Sequence, residues 1–106
     1  MNFEEYQEVI KTFAVYPRDN ELFAISYLAL GLNGEAGEVA DQVKKAIRND
    51  GQITAQRRAK ILEEAGDVLW CITRLAIEFE TSLGEIAQAN INKLEARRKA
   101  NDLKHE

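Results

Sequence analysis

Residues 21–49 read ELFAISYLALGLNGEAGEVADQVKKAIRN, and their pattern is that of one long helix. One helical line of this stretch is formed by Leu28, Leu32, Glu35, Val39 and Val43. An acid, Glu35, therefore stands on an otherwise apolar line, where a solvated residue is not expected. The helix is predicted to end at residue 49, because Gly51 suits the left-handed position that follows a helix C-terminus.

Two further helices are predicted, one before and one after this helix in the sequence. The first covers residues 3–15, where Phe3, Tyr6, Ile10 and Phe13 form an apolar stripe, and it ends before Pro17. Asp19 or Asn20 is then available to cap the long helix. The other helix covers residues 55–80 with Thr54 as its cap, and its buried face is expected to comprise Ile61, Ala65, Val68, Ile72, Leu75, Ala76 and Phe79.

A fourth helix is predicted over residues 83–100, after the capping-box pattern Ser82-Leu83-Gly84-Glu85. Its inner face is expected to comprise Leu83, Ile86, Ala87, Ile91 and Leu94. No alternating strand pattern competes with these helices. The sequence therefore predicts one all-α domain over residues 1–106, a four-helix bundle-like architecture, with a polar tail at 101–106.

Composition narrows the class of protein. The 106 residues are 45% hydrophobic, which predicts a packed core, and the net charge of -4 gives no footprint for stable nucleic-acid binding. The N-terminus has no signal-peptide pattern, and the longest apolar run, residues 22–32, is too short to span a bilayer. We therefore expect a cytoplasmic protein with no membrane partner. The single cysteine, Cys71, excludes an intrachain disulfide and is expected to be buried.

Two acidic signatures carry the candidate chemistry. Glu35 and Glu38 lie three residues apart on the second helix, and Glu64 and Asp67 lie three residues apart on the third. Residues at this spacing are neighbours on a helix surface, so paired helices would gather four carboxylates in one pocket. Such a pocket is costly without a cation, and Mg²⁺ prefers oxygen ligands and bridges carboxylates to phosphates. The pattern predicts a magnesium site that acts on a phosphate substrate.

Other interpretations are available for these acids. Isolated acidic pairs on helices are common and are usually solvated, although an apolar stripe beside each pair favours a site. A di-iron or zinc centre is not expected, because the only histidine, His105, lies in the polar tail. No Walker A or dinucleotide-binding glycine pattern occurs.

Two further groups of residues are candidates for binding substrate. Asn90, Lys93 and Arg97 share one face of the fourth helix and could hold phosphate oxygens, although a solvated basic face is the alternative. Trp70 lies three residues after Asp67 and is the aromatic residue best placed to contact a base. Its alternative role is as a core residue.

With their flanking residues, the two signatures are the segments Gly34-Glu35-Ala36-Gly37-Glu38-Val39-Ala40-Asp41 and Glu63-Glu64-Ala65-Gly66-Asp67-Val68-Leu69-Trp70. Together with Asn90-x-x-Lys93-Leu94-x-x-Arg97, they resemble the MazG-like nucleoside triphosphate pyrophosphohydrolases, a branch of the all-α NTP pyrophosphatases. The resemblance covers about residues 22–98. Residues before Leu22 match nothing in the family pattern and are candidates for shaping a base pocket.

The resemblance implies an all-α domain that forms a homodimer or homotetramer. It also implies Mg²⁺-dependent hydrolysis of an NTP or dNTP to the monophosphate and pyrophosphate. By position, the resemblance assigns the metal and the catalysis to Glu35, Glu38, Glu64 and Asp67, and substrate binding to Asn90, Lys93 and Arg97. It does not fix which acid activates the water, and Glu38 is our choice. The alternative is a non-catalytic nucleotide-binding or protein-interaction module, but such a protein is expected to have lost some of these residues.

Overall fold

The structure is a computed structural model that describes residues 1–100. Within these residues the chain forms four α-helices and no strand, which confirms the predicted all-α class. The helices are α1 (Phe3–Ile10), α2 (Glu21–Arg48), α3 (Ala55–Glu78) and α4 (Leu83–Lys99). The polar tail predicted at 101–106, with His105, lies outside the described residues. No helix of residues 1–100 is both long and apolar enough to cross a membrane.

Side-chain caps set the start of α2, α3 and α4. Asn20 accepts a hydrogen bond from the backbone N–H of Phe23 at 2.8 Å, so Asn20 rather than Asp19 caps α2. Thr54 and Ser82 cap α3 and α4 in the same way, as predicted. Each cap satisfies a backbone donor that the first helical turn would otherwise leave unpaired.

The end of α2 follows from Gly51. This residue has a φ of +72° and donates its N–H to the carbonyl of Ala46 at 2.8 Å. The bond satisfies a carbonyl of the last helical turn, and the left-handed backbone turns the chain toward α3. The predicted role of Gly51 at the C-terminus of α2 is therefore confirmed.

The first helix is shorter than the predicted 3–15, because it ends at Ile10. The N–H of Phe13 bonds to the carbonyl of Ile10 at 2.8 Å, and the same carbonyl accepts a bond from Arg74 at 3.2 Å. With that carbonyl engaged in a tight turn, the next α-helical bond does not form. Phe13, which was expected on the apolar stripe, is 53% exposed for this reason.

The two long helices, α2 and α3, form an antiparallel hairpin that dominates the fold. Gly31 lies opposite Cys71, whose sulfur would be 3.6 Å from a Cβ at Gly31, and Glu35 lies opposite Asp67. Residue numbers therefore rise along one helix as they fall along the other. This register brings the two acidic signatures to the same level of the hairpin.

The core forms where residues before α2 fold back onto the hairpin. Tyr16, Ala24 and Leu28 are buried together, and Trp70 and Leu75 pack against them. On α3 the expected buried face is only partly correct, since Ala65 and Phe79 are exposed. Cys71, Thr73 and Arg74 are buried instead, because α1 and the segment after it cover this side of α3. The burial of Cys71 was predicted.

The two short helices pack at the C-terminal end of α3. Gln7 of α1 donates to the carbonyl of Thr81 and accepts from the N–H of Leu83, both at 3.0 Å, which fixes the start of α4. Within residues 1–100, α4 contacts α1 and α3 but not α2. Its predicted inner face is therefore largely uncovered: Leu83 is buried and Leu94 half-buried, whereas Ile86, Ala87 and Ile91 are exposed.

The chain is less compact than a typical folded monomer of the same length. Its radius of gyration is 16.7 Å, whereas a compact chain of this length has about 13 Å. Its accessible surface is 7716 Å², about 1,700 Å² more than a folded monomer of this mass exposes. Large apolar side chains such as Leu22, Leu30, Ile47 and Ile91 contribute to that surface.

Candidate functional site

Three acids meet across the α2–α3 hairpin. Glu35 of α2 and Glu64 and Asp67 of α3 each offer a carboxylate oxygen, and these oxygens lie within 4.8 Å of one another. Glu64 and Asp67 point the same way because they are three residues apart on a helix. Glu64 is only 8% exposed, Glu35 is half-buried and Asp67 is exposed, so the cluster opens to solvent on one side.

The fourth predicted acid lies outside this cluster. Glu38 is one helical turn beyond Glu35 and is exposed. Its charge is nevertheless close enough to contribute to the raised pKa of Glu35. The structure therefore brings three of the four acids together and leaves Glu38 at the edge of the site.

The carboxylates of the cluster repel one another when no cation is bound. Burial raises the pKa of Glu35 above its ordinary value of 4.5, and the charges of Asp67, Glu64 and Glu38 raise it further. A carboxylate in this position gains from a proton or a cation. The donor set consists of carboxylate oxygens only, which suits a hard divalent cation such as Mg²⁺. The residues present therefore fit the predicted metal.

A lysine that sequence reasoning missed lies beside the cluster. The ammonium group of Lys60 is 3.4 Å from an oxygen of Glu64 and 3.6 Å from one of Glu63. The neighbouring charge of Glu63, followed by the bond to Glu64, raises the pKa of Lys60. The spacing of four residues between Lys60 and Glu64 was the signal available in the sequence.

A cavity of about 560 Å³ adjoins the acids between α2 and α3. Its wall combines two carboxylates with aromatic and apolar groups, and it comprises Tyr27, Leu28, Leu30, Gly31, Glu35, Asp67, Trp70 and Cys71. The predicted substrate contact Trp70 is therefore in the same cavity as two of the acids. Tyr27 was not among the predicted site residues, although Tyr27, Gly31 and Glu35 follow one another at intervals of four residues on the same side of α2.

The aromatic side chains of the cavity wall continue into the core. The ring of Tyr16 stacks on that of Tyr27, with centroids 5.6 Å apart and an interplanar angle of 15°. It also meets Trp70 edge to face, with centroids 6.1 Å apart. Both geometries are favoured by the charge distribution of aromatic rings. The cavity wall is thus one side of a three-ring cluster.

The predicted phosphate-binding residues are elsewhere in the chain. Asn90 and Lys93 are exposed on α4 and Arg97 is half-buried there. None of them lines the cavity beside the acids, and α4 does not contact α2 within residues 1–100. The structure of one chain therefore does not bring these three side chains to the acidic cluster.

An antiparallel helical hairpin with a carboxylate cluster beside an aromatic cavity defines an all-α protein with a candidate metal-dependent site. Residues 23–101 match the MazG nucleotide pyrophosphohydrolase domain, and the chain belongs to that family. Membership of this family indicates nucleotide pyrophosphohydrolase activity and confirms the resemblance found in the sequence.

One relative is known from a bacteriophage. The Gene 37 protein of Mycobacterium phage L5 is 39% identical over 102 residues, which cover 92% of this chain and 90% of the relative. Its name states no activity. No solved structure gives a significant match to the chain.

Proposed function

We propose that this protein is a Mg²⁺-dependent hydrolase that converts an NTP or dNTP to the monophosphate and pyrophosphate. The observation that carries the proposal is the carboxylate cluster of Glu35, Glu64 and Asp67, two of which line a cavity that is also lined by Tyr27 and Trp70. Such a cavity offers separate environments for the phosphates and the base of one nucleotide. Family membership supplies the reaction class.

The acids divide into two roles in this proposal. Glu35, Glu64 and Asp67 would hold Mg²⁺, which when bound neutralises phosphate charge and lowers the pKa of an attacking water. Glu38 is also assigned to the metal site by the resemblance, but it lies at the edge of the cluster and is exposed. That position suits a general base that takes the proton from the attacking water, as we expected for Glu38.

The base of the nucleotide is assigned to the aromatic side chains of the cavity wall. Trp70 and Tyr27 both line the cavity, and an aromatic ring offers a flat apolar face on which any base can stack. No positively charged side chain of residues 1–100 lines the cavity, so the two rings are assigned apolar contact rather than phosphate binding.

Asn90, Lys93 and Arg97 would bind the phosphates in an assembly of two or four copies. Because α4 does not contact α2 in one chain, these residues would reach an acidic cluster from a second copy. The surface excess supports such an assembly, since about 1,700 Å² per chain is within the range that obligate dimers bury. In this proposal each chain is one domain over residues 1–106, and the uncovered face of α4 lies at the interface.

Substitution of one acid tests the assignment of the cluster. Asp67→Asn keeps the shape of the side chain but removes the charge, and we expect pyrophosphate release to fall at least a hundredfold while helical circular dichroism is retained. Glu63→Gln is the matched control, because Glu63 is an exposed acid on the same helix that is not in the cluster. Equal activity of both variants would show that the cluster is not the catalytic centre.

A further inference from the structure

A buried polar network ties α3 to the segment before α2, and that segment lies outside residues 23–101, the region that matches the family. Arg74 is 1% exposed, and its Nε donates to the hydroxyl of Tyr16 at 2.8 Å. The Tyr16 hydroxyl donates in turn to Oε2 of Glu78 at 2.9 Å, and Arg74 also donates to that oxygen at 3.3 Å. The network is closed by the bond from Arg74 to the carbonyl of Ile10.

This network fixes the position of one aromatic ring. Two hydrogen bonds on a single hydroxyl hold the Tyr16 ring in its plane, and the Arg74 guanidinium carbon lies 5.3 Å from the ring centroid. Tyr16 is 8% exposed and does not line the cavity. Its two aromatic neighbours, Tyr27 and Trp70, both do.

We propose that Tyr16 is a positioning residue that sets the Tyr27 and Trp70 rings to receive the base of a nucleotide. The inference rests on the proposed function and deepens it, because the segment before α2 would then help to determine which base is bound. A ring that is itself locked by hydrogen bonds can hold its neighbours in one orientation, which is what a preformed binding wall needs. Tyr16 acts through the two rings and does not touch the nucleotide.

The experiment separates the base end of the site from the phosphate end. Wild type, Tyr16→Leu and Tyr16→Phe are compared by KM and kcat for the best nucleoside triphosphate, and by the inhibition constant of inorganic pyrophosphate, which has no base. Trp70 is the only tryptophan of the chain, so its fluorescence reports the cavity wall directly. Gln7→Met is the control, since it removes two hydrogen bonds of the N-terminal segment and Gln7 is not part of the hydrogen-bond network of Tyr16.

Tyr16→Leu should raise KM about tenfold, the combined effect of two aromatic contacts, with kcat within twofold. Its inhibition by pyrophosphate should be unchanged and its Trp70 emission shifted. Tyr16→Phe keeps the ring but loses the two hydrogen bonds that lock it, and should therefore show a smaller rise in KM, about threefold. Gln7→Met should lower the melting temperature but leave KM and the Trp70 emission as in wild type. If Tyr16→Leu fails to fold, Tyr16→Met replaces it with the same expectation, because methionine adapts to irregular space.

Three results would overturn the inference. These are a KM for Tyr16→Leu equal to that of wild type, an equal loss of affinity for pyrophosphate, or the same rise in KM in Gln7→Met. A wild type that is inactive on every nucleotide contradicts the proposed hydrolase activity instead. Titration with a nucleoside monophosphate, followed by Trp70 fluorescence, then decides the positioning role. Binding weakened by Tyr16→Leu supports it, and unaltered or absent binding overturns it.

Discussion

At the scale of single residues, Glu35 has the most constrained environment of the candidate site. It lies on the apolar line of α2, half-buried, with the carboxylates of Glu64 and Asp67 opposite. Burial and these charges both raise its pKa. The folded protein therefore binds a proton at Glu35 more tightly than the unfolded chain does, and this contribution to stability is lost as the pH rises through the folded pKa.

Magnesium should stabilise the protein more at neutral pH than in acid for this reason. Because the pKa of Glu35 is raised, acidification protonates this carboxylate earlier than an ordinary glutamate, and a melt at pH 4.5 therefore leaves less of it available to the cation than a melt at pH 7.5. Thermal melts with Mg²⁺ or chelator should show a larger shift at pH 7.5. Glu35→Gln should reduce the Mg²⁺-induced melting shift at pH 7.5. It should also make that shift depend less on pH. Equal Mg²⁺ shifts at both pH values in the wild type would contradict a role of Glu35 in metal binding.

Glu38 differs from the three clustered acids, and its substitution should differ as well. In the proposed role of general base it would contribute to kcat, so Glu38→Gln should lower kcat by about 10²–10⁴-fold while the Mg²⁺-induced melting shift is largely retained. Asp67→Asn should lose both the turnover and the Mg²⁺-induced melting shift. The comparison needs turnover and thermal melts on the same preparations. A Glu38 variant that loses the melting shift entirely would instead place Glu38 among the metal ligands.

At the scale of helices, the ends could be predicted from sequence where a side chain bonds to its own neighbourhood. Thr54, Ser82 and Gly51 were placed correctly because a cap or a left-handed glycine is a local property. The end of α1 was misjudged because the Ile10 carbonyl bonds to Arg74, a residue 64 positions away. Burial of Arg74 and exposure of Phe79 were missed for the same reason, since both depend on where other segments pack.

Two glycines of α2 and its C-terminal turn should respond in opposite ways to substitution by alanine. Gly51→Ala should destabilise the protein by about 1–2 kcal/mol, because its φ of +72° is unfavourable for a residue with a Cβ. Gly34→Ala should stabilise it by up to about 1 kcal/mol, because Gly34 lies inside a helix and a Cβ there meets nothing within 4 Å. Chemical denaturation measures both changes. A destabilising Gly34→Ala would indicate that a second copy packs closely against this part of α2.

At the scale of the whole molecule, the meeting of three acids across the hairpin could be predicted from the sequence, whereas the position of the basic residues could not; the role of both groups as one site is a proposal. The spacing of the acids, combined with an antiparallel hairpin, is sufficient to bring Glu35, Glu64 and Asp67 together. No comparable local rule places Asn90, Lys93 and Arg97, which are on a helix that leaves α2 uncontacted within residues 1–100. Their position relative to the acids depends on how copies of the chain assemble.

Assembly through α4 is therefore expected to be required for activity. Ile91 is 47% exposed on α4, and Ile91→Glu should place a charge in the interface and shift the protein toward monomers. Gln88→Glu introduces the same charge on the same helix at a polar position and is the control. Light scattering coupled to gel filtration gives the mass. A wild type of 12.0 kDa at all concentrations would contradict the proposed assembly.

The most direct test of the central claim is pyrophosphate release from a panel of NTPs and dNTPs, with Mg²⁺ or with chelator. The proposed function predicts equal amounts of pyrophosphate and nucleoside monophosphate from at least one nucleotide, and only when Mg²⁺ is present. Release of inorganic phosphate with a nucleoside diphosphate, or no release from any nucleotide, would contradict it.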